Sequence, residues 1–487
     1  MTRILAIDQG TTNTKAVLFD ADLSPIARAS RPTRTDYPHD GWAEQSADEI
    51  WTSVVGAIAE IVQKAGPDGI AGLAISNQRE TLVLWDATGG PAPCPAILWQ
   101  CRRTAQDCEA LIAGGHGPTV QAATGLGINP LFPASKLGWA IRNIPEVAEL
   151  HDSSRLRAGT VDSWLLWKLT GGTAFATDHS NASRTQLFDT AKLNWSKDLA
   201  QIFGAPLNVL PKALPSASRF GVTAAGATAL PEGVPILCLM GDSHAALYGH
   251  DVRAPGEVKA TFGTGSSLMS LTPKRVASSH GLSGTIAWSE GGETAHAIEG
   301  NITVSAQAAA FAADLLGIPS PAELSDLARS VPDTGGVFFV PALAGLGAPH
   351  WDDHARGIIG GLTLATRPAH LARATFEAIA HQVADVFEAM ERDIGQRLET
   401  LKADGGASGN DWLMQLQVDL LGRPVLRRDM AEVGARGVAA MALRLLGHPA
   451  RPEAGEMRRF MPSLSESDRL RQRAAWKAAV QRARSDR

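Results

Sequence analysis

At 487 residues the chain is too long for a single hydrophobic core, and two domains of roughly 240 residues are its natural division. Its 44% hydrophobic and 20% charged residues are those of a globular protein, and a net charge of -5 carries no nucleic-acid signature. The few cysteines, Cys94, Cys101, Cys108 and Cys238, lack CxxC spacing, which argues against a disulfide framework or structural zinc, and no apolar run approaches membrane-spanning length.

The chain enters its first strand at once, leaving no room for a signal peptide, so a reduced cytoplasmic setting is expected. Two apolar runs, Ile4 to Ile7 and Ala16 to Phe19, flank a polar segment and predict a β-hairpin with a loaded turn. Gly10 lets the backbone approach an anion, the hydroxyls of Thr11, Thr12 and Thr14 can donate to phosphate oxygens, and Lys15 adds positive charge. Asp8 beside a phosphate makes sense if it holds hydrated Mg2+. Ile26 to Ala29 supplies a third strand, and Ser46 to Glu49 caps a helix whose apolar face is Ile50, Val54, Ile58, Ile61 and Val62. Strands are expected at Ile70 to Ile75 and Leu82 to Trp85. The polar tip Asn77-Gln78-Arg79-Glu80 between them can aim its Arg and Glu at hydroxyls in a cleft. A helix is expected over Cys101 to Leu111, a buried segment over Gly159 to Leu169, and a polar loop over Thr177 to Leu187. Val234 to Leu239 is a buried strand, and Asp242 sits where that strand ends and a helix begins, the place where an α/β protein presents a catalytic group.

The second half repeats the opening theme, with a strand from Val258, a Gly263-Thr264-Gly265 turn and a strand to Leu271. Two phosphate-type hairpins, one per half, predict a duplicated architecture that clamps a nucleotide. A strand is expected within Gly335 to Pro341, a turn-rich loop over Gly345 to Asp352, and a long helix over Ala369 to Met390. The Gly/Ala-rich turn Asp404 to Asn410 opens a helix and can lie against a flat base, with a small-residue helix, Gly434 to Gly447, expected to pack below it. The Arg-rich end from Arg469 to Arg487 reads as a solvated helix face. There is no Walker A pattern and no GxGxxG after a strand.

The motifs DQGTT (8–12), NQRE (77–80), WQCRRTA (99–105), GTVD (159–162), NASRT (181–185), GTG (263–265), GLGAP (345–349), ARG (355–357) and DGGA (404–407) resemble the FGGY carbohydrate kinases, and among them the glycerol kinases most. The resemblance implies an α/β fold of two actin-like, ribonuclease-H-type domains, here 1–247 and 248–487, with ATP and Mg2+ in the cleft between them. It implies Asp242 as general base, Asp8 in the metal region, and Thr11, Thr12, Asn13, Lys15 and Thr264 on the phosphates. Gly406, Ala407, Asn410 and Asp411 would lie near the adenosine, and Arg79, Glu80 and Trp99 would line the substrate pocket. Leu131, Ser243 and Ser267 stand where glycerol kinases carry Tyr, Gln and Phe, so the pocket should be wider than one built for three carbons. A family Gly and Gln at the nucleotide site become Ala306 and Ala310, and the stretch Ala224 to Pro231, where a sugar-bisphosphate regulator would bind, has no Arg. The expected activity is ATP-dependent phosphorylation of a small polyol or sugar of four or five carbons. The alternatives are a true glycerol kinase, an actin-like ATPase and a catalytically quiet sugar sensor. The partner is a small molecule, with no nucleic acid and no membrane, and a homo-oligomer is left open.

Overall fold

The computed structural model describes residues 2–428, 432–448 and 457–485. The opening residues form the expected hairpin, β1 (Arg3–Gln9) antiparallel to β2 (Asn13–Phe19), which pairs in turn with β3 (Pro25–Pro32). Ile4, Leu5, Ala6 and Ile7 are all fully buried. The strand is therefore covered on both faces, which is why it reads as a continuous apolar run and not as an alternation. β4 (Ile70–Asn77) lies parallel to β1, and β5 (Ala217–Val222) forms the edge antiparallel to β6 (Pro235–Gly241), itself parallel to β4. The six-stranded order is β5-β6-β4-β1-β2-β3.

The second half carries β7 (Glu257–Phe262), β8 (Ser266–Thr272), β9 (Ser283–Glu290), β10 (Glu293–Ile302), β11 (Thr400–Asp404), β12 (Val425–Arg428) and β13 (Met457–Phe460). They form one seven-stranded sheet, β9-β10-β8-β7-β11-β12-β13. With β9 set aside, the pairing repeats the first sheet strand for strand. An antiparallel meander gives way to two parallel neighbours and then to an antiparallel edge.

α1 (Ala47–Ala65) starts where the Ser46 hydroxyl accepts from the Glu49 N–H, and its apolar stripe packs on the first sheet together with α2 (Val161–Leu169). The polar stretch predicted as a loop is instead the end of a buried strand followed by one turn of helix, α3 (His179–Ala182). Its polar groups are buried because they satisfy one another. Asp178 accepts from the Ser180, Asn181 and Ser216 side chains, and Asn181 exchanges amide bonds with Asn77.

α4 (Asp242–Gly249) follows β6, while α5 (Gln307–Leu315), α6 (Pro368–Ile394) and α7 (Asp411–Leu421) cover the outer face of the second sheet. α8 (Val433–Leu445) is displaced from its expected place under the 404–410 turn. It packs on α4 and on β1, β4 and β6 of the first half, so that α4 and α8 form a layer between the two sheets. The cause is steric. A Cβ on Gly437 would stand 1.9 Å from the Ala245 carbonyl oxygen and one on Gly249 2.2 Å from that of Val433, so the helices cross with backbones in contact.

The basic end forms α9 (Glu466–Ala483), and the last two residues of the stretch expected as a solvated face, Asp486 and Arg487, lie outside the described ones. It is not wholly a solvated face, because Arg473 is buried against Asp385 and Glu388 of α6. Among the described residues no helix is long and apolar enough to cross a membrane.

Candidate active site

The first hairpin turns tightly at Gly10–Thr12, with the Gly10 N–H donating to the Asn13 carbonyl at 3.0 Å. Thr11 and Thr12 occupy the turn, whereas Asn13, Thr14 and Lys15 already belong to β2 and alternate in direction. That alternation corrects one expectation. Thr14 is fully buried and its hydroxyl meets Ser53 of α1 at 2.6 Å, so it faces the core and not the turn. Lys15 stands directly across the ladder from Asp8. The second turn, Gly263–Gly265, is seated on the start of α5: the Ser305 and Gln307 N–H groups donate to the Thr264 carbonyl and the Ala306 N–H to that of Gly263. A Cβ on Gly265 would meet the Ile302 carbonyl oxygen at 2.5 Å, so only glycine fits there.

Asp242 is the first residue of α4, and its side chain is 44% exposed. Its Oδ1 accepts from the Ser243 N–H at 2.6 Å and from Arg79 Nε at 3.1 Å. Both hydrogen bonds given by the described residues fall on Oδ1, which leaves Oδ2 to accept a proton from elsewhere. Arg79 is buried and forks onto Glu299 of β10, with Nη1 donating at 2.9 Å and Nη2 lying 2.8 Å from the second oxygen. Glu80 sits at φ 60°, a left-handed conformation unusual for a side chain of its size, and accepts from Arg184 Nε at 2.6 Å. Arg184 Nη2 also stands 3.0 Å from Glu299. The Arg79-Glu80 pair is thus no free hydroxyl-binding tip. It belongs to a network of two guanidiniums and three carboxylates, buried except at Asp242, that crosses from one half to the other, and only the N–H groups of Arg79 not used in it remain for a substrate.

Ser243 Oγ and Ser267 Oγ, one from each half, lie 3.3 Å apart, and Ser267 donates to Glu299 at 3.0 Å. Trp99 is 36% exposed, and its indole N–H donates to Thr11 Oγ1 at 3.0 Å. Lys136, fully buried, ties this wall together by donating to the carbonyls of Leu98 at 2.7 Å and Leu131 at 2.9 Å. Burial pulls its ammonium down to about 7. Glu299, Arg184 and Lys136 were not singled out as site residues by the sequence. Arg184 lies in the NASRT motif, but Glu299 and Lys136 carry no local signal.

Asp8 accepts from Ser76 Oγ at 2.8 Å. Burial pushes its carboxyl up to about 6, with the neighbouring Asp242 and Glu432 adding to the shift against the Ser76 bond and Lys15. Among the described residues no group of three or more His, Cys, Asp or Glu side chains has metal-binding spacing. At the 404–410 turn, Gly405 takes φ 87° and a Cβ there would stand 2.5 Å from the Phe262 carbonyl oxygen, so the turn lies flat against the end of β7. Gly406 faces open space and Ala407 is half-buried. Asn410 is committed to structure, capping α7 through the Trp412 and Leu413 N–H groups and donating to Ser325. Asp411 pairs with Arg427 at 2.9 Å and Arg458 at 2.6 Å. This turn stands apart from the Asp242 cluster and is linked to it by Asp404, which meets His250 at the end of α4 at 2.6 Å.

The family model described as the FGGY family of carbohydrate kinases, N-terminal domain, matches residues 3–249, and its C-terminal counterpart matches 258–446. The chain is 44% identical to a glycerol kinase of Symbiobacterium thermophilum, over 99% of this chain and 98% of that protein. It is equally 44% identical, with the same coverage, to an apulose kinase of Pectobacterium atrosepticum. The crystal structure of Plasmodium falciparum glycerol kinase with ADP superposes with a TM-score of 0.91 at 30% identity, covering 99% of this chain and 98% of that one. The ligand-bound xylulose kinase of Lactobacillus acidophilus shares the fold at a TM-score of 0.87 and 20% identity, with 99% and 97% covered.

Proposed function

Because the chain belongs to the FGGY family of carbohydrate kinases, it is an ATP-dependent kinase of a sugar or polyol hydroxyl, and we propose that Asp242 is its general base. Asp242 Oδ2 accepts the hydroxyl proton while the substrate oxygen bonds to the γ-phosphorus and the bond to the departing ADP breaks. Arg79 holds the carboxylate by its other oxygen and keeps it oriented.

Thr11, Thr12, Asn13 and Lys15 from residues 1–247 and Thr264 from residues 248–487 serve the phosphates, and the flat turn at Gly406 and Ala407 serves the adenosine, with Asn410 and Asp411 beyond it bracing the turn through their structural bonds. Asp8 would hold Mg2+ by its single carboxylate, with water and the phosphate oxygens of the nucleotide supplying the other hard donors the ion prefers. When bound, the ion would neutralise charge on the phosphate oxygens.

The substrate is a polyol or ketose of four or five carbons. The observation that carries this is the Ser243–Ser267 contact at 3.3 Å beside Asp242, where two short hydroxyl side chains from the two halves meet, with Leu131 tied to the Trp99 side through Lys136. Glycerol would leave a wet gap there, and misplacing a reacting hydroxyl by about 1 Å costs around 10²-fold. A glycerol kinase and an apulose kinase stand at the same identity, so overall similarity does not choose between small and larger substrates, and a true glycerol kinase is the second reading. Steady-state kinetics over glycerol, tetritols, pentitols and ketopentoses decides. A glycerol kcat/KM above that of every larger compound would refute the wide-pocket reading.

A further inference from the structure

The polyol wall and the phosphate turn are joined by three buried glutamines. β1 and β4 run parallel with Gln9 opposite Asn77, and the ladder continues one step further as the Gln78 N–H donates to the Gln9 carbonyl at 2.7 Å. The Gln78 side chain then fills its whole hydrogen-bonding capacity. Its Nε2 donates to Gln9 Oε1 at 3.2 Å and Gln45 Oε1 at 2.9 Å, while its Oε1 accepts from Thr81 at 2.9 Å and Thr11 at 3.4 Å. The other two amides close onto the turn itself, Gln9 donating to the Gly10 carbonyl and Gln45 to that of Thr11. Each of the three glutamines is at most 1% exposed.

Thr11 is where the two pockets meet. Its hydroxyl accepts the Trp99 indole N–H at 3.0 Å, and its single proton goes to Gln78 across 3.4 Å, near the outer limit of a hydrogen bond. A phosphate oxygen arriving at the turn can take that proton at little cost. Trp99 fixes one lone pair of the hydroxyl and Gln78 gives the proton its alternative resting place, so the direction of the proton depends on both. A polyol packed on the exposed face of Trp99 holds the indole still and with it the hydroxyl.

We propose that Gln78 is a positioning residue that couples the polyol pocket to the phosphate turn, so that polyol and ATP bind cooperatively through the Trp99–Thr11–Gln78 chain. This rests on the reading that Trp99 faces the polyol and Thr11 the phosphates. The coupling is the ratio of the dissociation constants of a non-hydrolysable ATP analogue without and with saturating polyol, and by linkage it must appear equally in polyol affinity.

The test uses the full chain, calorimetry, and thermal melts to confirm folding. The wild type should show a ratio of at least about 5. Gln78→Met should bring it to about 1, and so should Trp99→Phe, which keeps the ring, loses the N–H and sits at a part-exposed position where folding is not at stake. The double variant should fall no further than either single one. A wild-type ratio of 1, or an unchanged ratio in either folded variant, overturns the proposal. If Gln78→Met does not fold, Trp99→Phe alone decides. Thr11→Val tests the underlying reading separately. Analogue affinity that survives Thr11→Val sinks that reading and the proposal with it. Affinity lost in Thr11→Val with the ratio kept in Gln78→Met leaves the reading standing and removes only the coupling.

Discussion

Replacing Glu299 is the most demanding test of the buried network. Oε1 accepts from the Ser267 hydroxyl at 3.0 Å and lies 2.8 Å from Arg79 Nη2, and Oε2 accepts from Arg79 Nη1 at 2.9 Å and lies 3.0 Å from Arg184 Nη2. Burial alone would push this carboxyl up. Arg79 and Arg184 outweigh it and hold the group well below the ordinary carboxylate range. Glu299→Ala leaves two guanidiniums with less charge to face than they had, and removing one partner of a buried pair costs about 3–5 kcal/mol. Glu299→Gln keeps the shape but turns one acceptor oxygen into an NH2 aimed at donors. Charge-assisted bonds worth about 1.5–3 kcal/mol each are then replaced by neutral or repulsive contacts, so a loss of about 3 kcal/mol is expected here too. Arg79 would no longer be anchored from the second half, and the carboxylate of Asp242 that it orients would shift. Turnover should fall about 10²-fold or more. ADP release at saturating substrates and a urea denaturation midpoint measure the two effects. A Glu299→Gln enzyme with more than a third of wild-type kcat and an unmoved midpoint would refute the claim that this seam holds the base.

Asp242→Asn should bind ATP and stay folded yet lose transfer, and retention of more than about a tenth of wild-type turnover, roughly 1.4 kcal/mol in barrier, would deny it the role of base. Ser267→Phe adds bulk beside Ser243 and Asp242 and should raise glycerol kcat/KM relative to the best larger substrate by about tenfold or more; an unchanged ratio would show that residue 267 does not set substrate size. Asp162 offers a pH test, because burial, with Asp178 adding, pushes its carboxyl up to about 7. The folded state then holds this proton more tightly than the unfolded chain, so the contribution of the group to stability falls as pH rises from about 4 to about 7. Asp162→Asn should accordingly gain on the wild type in unfolding free energy from urea titration across that window, by an amount on the order of a few kcal/mol at its top, and a gap between the two proteins that stays constant with pH would dismiss the shift.

The paired hairpins, the capped α1 and the strand-to-helix joint at Asp242 were legible because each is written in local pattern: apolar runs broken by Gly and Thr, a Ser before a helical stripe, a carboxylate at a strand end. β9 gave no such signal, since all but its last residue are buried and its Gly and Ser positions break any alternation. The 177–187 stretch misled for the opposite reason. Its polarity suggested a surface, but Asp178, Ser180 and Asn181 satisfy one another in the interior, and only the fold brings Asn77 and Ser216 to complete the set. The same holds at the site. Arg79 and Asp242 could be singled out from their neighbours in sequence, whereas Glu299 acquires its meaning only from a strand in the other half that ends against them.

The crossing of α4 and α8 bears on how Asp242 is held in place. Main chain touches main chain at Gly249 and Gly437, so the spacing there is set by atoms that have no rotamers and cannot be repacked. Asp242 begins α4 about one turn from Ala245, the residue that meets Gly437, and Gly434 at the head of α8 abuts Asp8, Ser76 and the Asp242 carbonyl. The contact therefore fixes where α4 begins, and with it the main chain of Asp242, by atoms that no side-chain substitution can shift. The side chains of Leu131, Ser243 and Ser267 take no part in that contact, so their size can be altered while the main chain of Asp242 keeps its place.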